Sequence, residues 1–240
     1  MTAPLVMLHG VNGCGEALAP LSERLRSACE VITPNLIGHG GRPLPAEFSV
    51  AEFAADVVQA MDARGVRRAW WLGYSFGGYL ALYIARHYPE RVLGVCTPAA
   101  KIIYDAAAVQ HLMHLTDPER VGRPGNPRAA IVEKMHQPQD WRALLRTHQR
   151  MFLALGQQSA LDEQDFHAIA APALIVSGDD DQIVPSAEAA TLSQWIPGAQ
   201  LVTYTGYSHP LEVVPLDELA STVAAWMRAQ QLIWFVAAAT

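Results

Sequence analysis

Gly73-Tyr74-Ser75-Phe76-Gly77 is the stretch of sequence that decides the fold of this chain. It follows the apolar run of residues 69–72, which predicts a buried strand, and it opens the helical pattern of residues 78–86. A serine with a glycine two residues away on each side, at a strand-to-helix junction, is typical of a nucleophile elbow. Strand and helix nearly touch in such a turn, so a Cβ at Gly73 or Gly77 would obstruct them. The stretch therefore predicts an activated serine at Ser75.

Short apolar runs alternate with amphipathic helical stretches along most of the chain. The runs that predict strands are residues 5–8, 30–33, 69–72, 92–96, 173–176 and 200–204. The helical stretches between and after them are residues 17–28, 50–64, 77–88, 186–195 and 217–230. This alternation predicts βαβ units, right-handed crossovers and a mainly parallel sheet.

Residues 98–171 break the alternation. They contain helical patterns at 106–115, 128–136, 139–155 and 162–170, interrupted by prolines and glycines, and no convincing strand. The segment is too long for a crossover loop, so we expect a helical insertion that lies over the strand ends as a lid. The domain organisation expected is thus a core of residues 1–97 and 172–240 with a lid of residues 98–171.

Four aromatic or histidine side chains are candidates to line a substrate pocket. His9 and Tyr74 lie at predicted strand ends, and Trp141 and Phe152 lie in the predicted lid. Packing inside the lid is the favoured interpretation of the aromatic and histidine residues there. Their spacings suggest no metal site.

Composition excludes several classes of function. The chain has 240 residues, half of them hydrophobic, and a net charge of −6. It is long enough for one substantial α/β domain, and it has no basic stripe for nucleic acid. Its three cysteines form no disulfide framework, which favours a reducing compartment, and we expect a cytoplasmic protein.

Neither end of the chain predicts a membrane segment. The first four residues carry no positively charged side chain, so we expect no signal peptide. The apolar tail of residues 232–239 is shorter than the roughly 20 residues that cross a bilayer as a helix. A docked last turn or an expression-derived tail is the interpretation preferred over a membrane anchor. The expected partner is a small molecule, and the expected state is a monomer or a homodimer.

The first predicted strand leads into His9-Gly10-Val11-Asn12-Gly13. Glycines let a backbone point its amides at a developing negative charge without crowding by side chains. Ligands of an open parallel sheet bind where the strand order reverses. If the second and third strands lie on opposite sides of the first, the loops of Val11 and Ser75 meet at that point.

Two later strand ends carry further candidates. Asp179-Asp180-Asp181 follows the fifth predicted strand and predicts a solvated turn, a divalent-metal site or one catalytic acid. The alternating ligand spacing of a calcium loop is missing, which disfavours the metal. His209 follows the last predicted strand, and the chain order of serine, aspartate and histidine is that of a hydrolase triad.

Together these motifs resemble the α/β-hydrolase superfamily, in particular its small, lid-bearing branch of serine esterases and C–C hydrolases. The resemblance covers residues 5–97 and 172–228. His9-Gly10-Val11 is similar to the oxyanion loop of the family. Residues 178–185 are similar to its acid loop, in which the acid stands three residues after the glycine and four before the proline, and this selects Asp181.

The chain departs from the family pattern in three places. Asn35 stands where the family usually has aspartate, and Ser208 stands where glycine is usual before the histidine. The usual N-terminal hairpin of two strands has no counterpart before residue 5. The resemblance therefore implies a sheet of about six strands, all parallel, with an exposed edge near Val31 that is covered or used for dimerisation.

The resemblance implies a serine hydrolase that cleaves carboxylic esters of small acyl substrates through an acyl-enzyme, without cofactor or metal. Ser75 would be the nucleophile, His209 the base and Asp181 its partner. The implied oxyanion donors are the amides of Val11 and Phe76, and the glycines that shape these loops are Gly10, Gly73 and Gly77. C–C bond hydrolysis, lactone or thioester cleavage and a ligand receptor with vestigial hydrolysis remain alternatives.

Overall fold

Six strands form one sheet in the computed structural model, which describes residues 3–237. The strands are β1 (Leu5–Leu8), β2 (Val31–Ile32), β3 (Ala69–Gly73), β4 (Val92–Pro98), β5 (Ala173–Gly178) and β6 (Gln200–Tyr204). Their order is β2-β1-β3-β4-β5-β6, and every neighbouring pair is parallel. The predicted all-parallel sheet of about six strands is confirmed, and so is the inference that the second and third strands flank the first.

Helices cover both faces of the sheet, which explains why its central strands are apolar on both sides. The helices outside the segment between β4 and β5 are α1 (Ala19–Leu25), α2 (Val50–Ala63), α3 (Phe76–His87), α9 (Ser186–Trp195) and α10 (Leu216–Ala237). Successive residues of β1 point to opposite faces. Val6 and Leu8 pack with α2, α3 and α9, whereas Leu5 and Met7 pack with α1 and α10.

Five helices lie between β4 and β5, in a segment we call the insertion (residues 99–172). They are α4 (Ala106–Leu115), α5 (Pro118–Val121), α6 (Pro127–His136), α7 (Trp141–Gln157) and α8 (Glu163–His167). All residues of the insertion are described, and none lies in a strand. Each helix begins after an aspartate or asparagine whose side chain accepts a hydrogen bond from an amide of the first turn. The short α5 was not predicted, because one turn has too few residues to show a period.

A buried ion pair ties the start of the insertion to α9. The side chains of Lys101 and Glu188 are each 7% exposed, and their charged groups are in contact. The Glu188 carboxylate also accepts hydrogen bonds from the amides of Ile102 and Ile103, both at 3.1 Å. Chain leaving β4 is therefore held against the helix that follows the acid loop.

The two edge strands are short or exposed. β2 has two residues, with Val31 half-buried, which agrees with the edge expected there. β6 is mostly exposed at the opposite edge. Within residues 3–237 no helix combines the length and the apolar composition needed to cross a membrane. Leu232 and Ile233 near the end of α10 are exposed rather than docked, and the last residues of the apolar tail lie outside the described part of the chain.

Candidate active site

The elbow at the end of β3 holds Ser75 in an unusual backbone conformation. Its φ is 56° and its ψ is −122°, a left-handed region that residues with a Cβ rarely adopt. A Cβ on Gly73 would come within 2.0 Å of the Gly77 carbonyl oxygen, and one on Gly77 within 2.3 Å of the Leu8 carbonyl oxygen. Only glycine fits at these two positions, so the spacing read from the sequence has a direct steric cause.

The loop after β1 meets this elbow. Because β2 and β3 lie on opposite sides of β1, a crevice opens at the carboxyl end of β1. A Cβ on Gly10 would lie 3.4 Å from the Ser75 Cβ, which measures how closely the two loops approach. The sheet topology thus brings the predicted oxyanion loop to the predicted nucleophile.

Ser75, His209 and Asp181 form a hydrogen-bonded chain. The His209 Nε2 lies 3.0 Å from the Ser75 Oγ, and the His209 Nδ1 lies 2.7 Å from the Asp181 Oδ2. His209 and Asp181 are buried, while Ser75 is partly exposed. These distances suit transfer of a proton from the hydroxyl to the imidazole, with the carboxylate fixing the imidazole tautomer.

The carboxylate of Asp181 is held in place by its own loop. Its Oδ1 accepts hydrogen bonds from the amides of Ile183 and Val184, both at 2.8 Å, which leaves Oδ2 to face the histidine. Asp179 and Asp180 are exposed, and Asp179 accepts a hydrogen bond from the Gly206 amide instead. Of the three successive carboxylates, only Asp181 is placed beside His209.

Two backbone amides are free to bind an oxyanion. Neither the Val11 amide nor the Phe76 amide donates to any group within residues 3–237. Phe76 is the first residue of α3, so its amide also lies at the positive end of the helix dipole. The geometry can therefore present two donors to a charge that develops next to Ser75.

Four buried histidines lie beneath the oxyanion loop, an arrangement the sequence analysis did not anticipate. His9, His39, His136 and His148 contact one another through His39, with ring centroids 4.9 to 5.5 Å apart. The His39 Nε2 lies 2.8 Å from the carbonyl oxygen of Val11, and 3.0 Å from the His148 Nε2. The cluster joins α6 and α7 of the insertion to the loop that carries a candidate oxyanion donor.

Burial lowers the pKa of every histidine in this cluster. Desolvation brings the pKa of His39 to about 4, against the opposing effect of its hydrogen bonds to backbone carbonyls. Desolvation, followed by the repulsion of neighbouring histidines, also holds the pKa values of His9 and His148 well below the ordinary value. The cluster is consequently neutral near pH 7.

The four side chains expected in a substrate pocket are placed elsewhere or have other partners. His9 is buried and accepts a hydrogen bond from the Leu36 amide at 3.1 Å. Trp141 belongs to a separate apolar cluster inside the insertion, and Phe152 is 1% exposed in the main core. Tyr74 points to the histidine loop, where its hydroxyl donates to the His209 carbonyl. Trp141 and Phe152 pack in apolar clusters, and a pocket role of the four side chains stays a prediction.

The side chain of Asn35 bridges two loops. Its Oδ1 accepts from the Gly15 amide at 2.7 Å, and its Nδ2 donates to the Gly40 carbonyl at 3.3 Å. An ionised aspartate could make the first bond but has no donor for the second. Asparagine at this position therefore makes both hydrogen bonds, whereas aspartate would make only the one to Gly15.

A cavity of about 380 Å³ borders the acid loop. Ile103 and Leu112 of the insertion line it on one side, and Ile183 lines it two residues after Asp181. The cavity is large enough for a small acyl group.

The chain is similar to known hydrolases over nearly its whole length. A model of the alpha/beta hydrolase family matches residues 5–224. The 2-hydroxymuconate semialdehyde hydrolase of Pseudomonas putida is 26% identical, in an alignment that covers 92% of this chain and 85% of that protein. The pimeloyl-[acyl-carrier protein] methyl ester esterase of Xanthomonas oryzae pv. oryzae is 28% identical, with 85% of this chain and 87% of that protein covered.

A solved structure shows the same fold. The meta-cleavage product hydrolase of Pseudomonas fluorescens superposes with a TM-score of 0.78 at 22% identity, covering 95% of this chain and 91% of that one. At this identity the likeness concerns the fold alone.

Proposed function

The chain belongs to the alpha/beta hydrolase family, and on that premise we propose that it cleaves carboxylic esters of small acyl substrates through an acyl-enzyme on Ser75. The observation that carries the proposal is the hydrogen-bonded chain of Ser75, His209 and Asp181. Serine at the elbow supports acyl transfer, because displacement through an alkyl-enzyme ester requires an aspartate there.

In the proposed mechanism the Ser75 Oγ attacks the ester carbonyl while the His209 Nε2 takes its proton. The carbonyl oxygen becomes an anion that the amides of Val11 and Phe76 stabilise, and each such donor typically lowers the activation free energy by about 2.7 to 4 kcal/mol. The imidazolium then gives its proton to the leaving alcohol. A water molecule, activated by the same histidine, releases the acid and restores the serine.

The insertion is proposed to act as a lid that shapes the substrate site. Its support is position: the ion pair of Lys101 with Glu188 holds the first residues of the insertion beside the acid loop. The cavity beside the acid loop is lined by apolar side chains such as Ile103 and Leu112 and by the charged side chains of Lys101, Asp105 and Glu188. No residue of the triad lines it, so it is the proposed space for a part of the substrate that extends away from Ser75.

A panel of p-nitrophenyl esters of increasing acyl length, with matching thioesters and lactones, tests the proposal. Wild type is expected to turn over short esters, and Ser75→Ala and His209→Ala to lower k_cat by about 10⁴-fold or more. Ser208→Ala and the exposed His114→Ala are matched controls that keep wild-type rates. Wild-type-like turnover in either triad variant would refute the assignment. Probe labelling of Ser75 without turnover would instead support a receptor.

C–C bond hydrolysis is the second candidate, favoured by the similarity to 2-hydroxymuconate semialdehyde hydrolase. It would use the same serine, histidine and oxyanion donors. Adding 2-hydroxymuconate semialdehyde to the panel separates the two functions. A k_cat/K_M for that compound well above those for all esters would replace ester hydrolysis as the proposed reaction.

A further inference from the structure

The loop that carries His209 is weakly anchored by its own backbone. Residues 205–210 form neither helix nor strand. The loop is tied to the acid loop by the Gly206 amide, which donates to Asp179, and by the Tyr207 carbonyl, which accepts from the Asp180 amide at 3.2 Å. Both hydrogen bonds connect the loop to the acid loop and not to the elbow that carries Ser75.

A single side chain holds the loop from the side of the elbow. The hydroxyl of Tyr74 donates a hydrogen bond to the backbone carbonyl of His209, and the two rings lie with their centroids 5.3 Å apart. Within residues 3–237, only one other hydrogen bond joins the elbow to this loop, the one between Ser75 and His209 that the reaction itself breaks and remakes.

The packing behind the loop contains one small void. A cavity of about 20 Å³ lies there, lined by Tyr74, Ser208 and Leu211 among others. That is space for one water molecule and not for a side chain. Tyr74 therefore borders this loop with its ring as well as with its hydroxyl.

We propose that Tyr74 is a positioning residue, which holds the His209 backbone so that the imidazole keeps Ser75 and Asp181 within hydrogen-bond reach at once. This inference rests on the proposed function. Tyr74 adjoins the nucleophile in sequence, so one rigid turn sets the place of the serine and, through the hydroxyl, the place of its base.

The environment keeps the Tyr74 hydroxyl a donor. Burial, and then the charges of Asp181 and Glu212, raise the pKa of Tyr74 above its ordinary value. The phenol consequently stays protonated throughout the pH range in which the protein would work. The hydrogen bond to the His209 carbonyl is present whatever the state of the imidazole.

Tyr74→Phe tests the proposal, because it removes one oxygen and keeps the ring. We expect k_cat for p-nitrophenyl acetate to fall about 10- to 100-fold with K_M changed less than about twofold, since misplacement of a catalytic group acts on the chemical step. The downfield proton NMR signal of the His209 Nδ1–H, bonded to Asp181, should broaden or exchange faster with water. Tyr204→Phe is the matched control, because it removes a hydroxyl whose 2.9 Å hydrogen bond is to Thr222 of α10.

The outcomes separate this proposal from the proposed function. Wild-type k_cat and an unchanged NMR signal in Tyr74→Phe would overturn the positioning role, as would a lower melting temperature with unaltered k_cat. Failure of the wild type to hydrolyse any ester or to react with a fluorophosphonate would refute the function instead. The NMR signal of the histidine tests the role of Tyr74 even then, because it does not depend on turnover.

Discussion

At the scale of single residues, the site depends on two glycines, which have no side chain, as well as on the side chains of the triad. Ser75 can take a φ of 56° because glycines stand on either side of it, where any Cβ would overlap backbone atoms. The strained turn is what points the hydroxyl at His209. Strain of this kind persists only where the surrounding structure imposes it.

Gly73→Ala is expected to destabilise the protein by more than about 4 kcal/mol, because its Cβ would lie 2.0 Å from a backbone oxygen that cannot move aside. Gly198→Ala is the control, since Gly198 has a φ of 71° but open space around it. That change should cost only the strain of a left-handed residue, about 1 kcal/mol. Urea denaturation of both variants measures the difference, and equal losses would contradict the steric explanation of the elbow.

The sequence predicted the residues whose chemistry is local and missed those whose partners are distant. The elbow glycines follow from spacing within a few positions, and the choice of Asp181 was implied by the resemblance of residues 178–185 to the acid loop of the family. The bond from Tyr74 to His209 joins residues 135 positions apart. This hydrogen bond forms only when the elbow and the loop of His209 pack together in the folded protein. No local sequence pattern indicates that packing.

At the scale of secondary-structure elements, polar contacts join the insertion to several parts of the core, among them the buried histidines and the pair of Lys101 with Glu188. Two ion pairs within residues 3–237 join positions more than 80 apart in the sequence. The pair of Lys101 and Glu188 is the more buried of the two. Glu188 also caps two amides at the start of the insertion, so the helix α9 organises the chain that leaves β4. The lengths of α4, α6 and α7 followed from periodicity, but this attachment did not, because a lone lysine and a glutamate 87 residues apart show no pattern.

Lys101→Met is expected to lower the free energy of unfolding by about 3 kcal/mol, because it leaves the Glu188 charge buried without a partner. Adding Glu188→Gln should restore much of that loss, since the amide oxygen still accepts from the insertion backbone. Arg146→Met is the control: its pair with Glu119 is exposed and should be worth less than about 0.5 kcal/mol. Equal effects of the two single changes in urea denaturation would show that the buried pair has no special role.

At the scale of the whole molecule, the sheet was predictable and the cluster beneath the oxyanion loop was not. Parallel pairing follows from the alternation of apolar runs with helices, and the meeting of the β1 and β3 loops follows once the second and third strands are placed on opposite sides of the first. The four histidines come from three separate regions of the chain, and each looks like an ordinary polar residue in sequence. Only the packing of α6 and α7 against the core makes them one buried group.

Acid should destabilise the fold through this cluster. The pKa of His39 is about 4 when folded and 6.5 when exposed, so the unfolded chain binds the proton first as the pH falls. The stability contributed by neutral His39 is complete above pH 6.5 and is lost progressively between pH 6.5 and 4, by about 3 kcal/mol. His148→Leu removes a buried titratable ring, so the free energy of unfolding of this variant should fall less between pH 6.5 and 4. Urea denaturation at several pH values measures it, and a constant free energy from pH 7.5 to 4.5 would contradict the account.

The central claim is that Ser75 is an activated nucleophile, and covalent labelling with a fluorophosphonate tests it most directly. Peptide mass spectrometry of the labelled wild type should find one adduct, on Ser75, with none in Ser75→Ala and much slower labelling in His209→Ala. Ser208→Ala, which changes a serine next to the base, should label as fast as wild type. An unlabelled wild type, or an adduct on any residue other than Ser75, would contradict the claim.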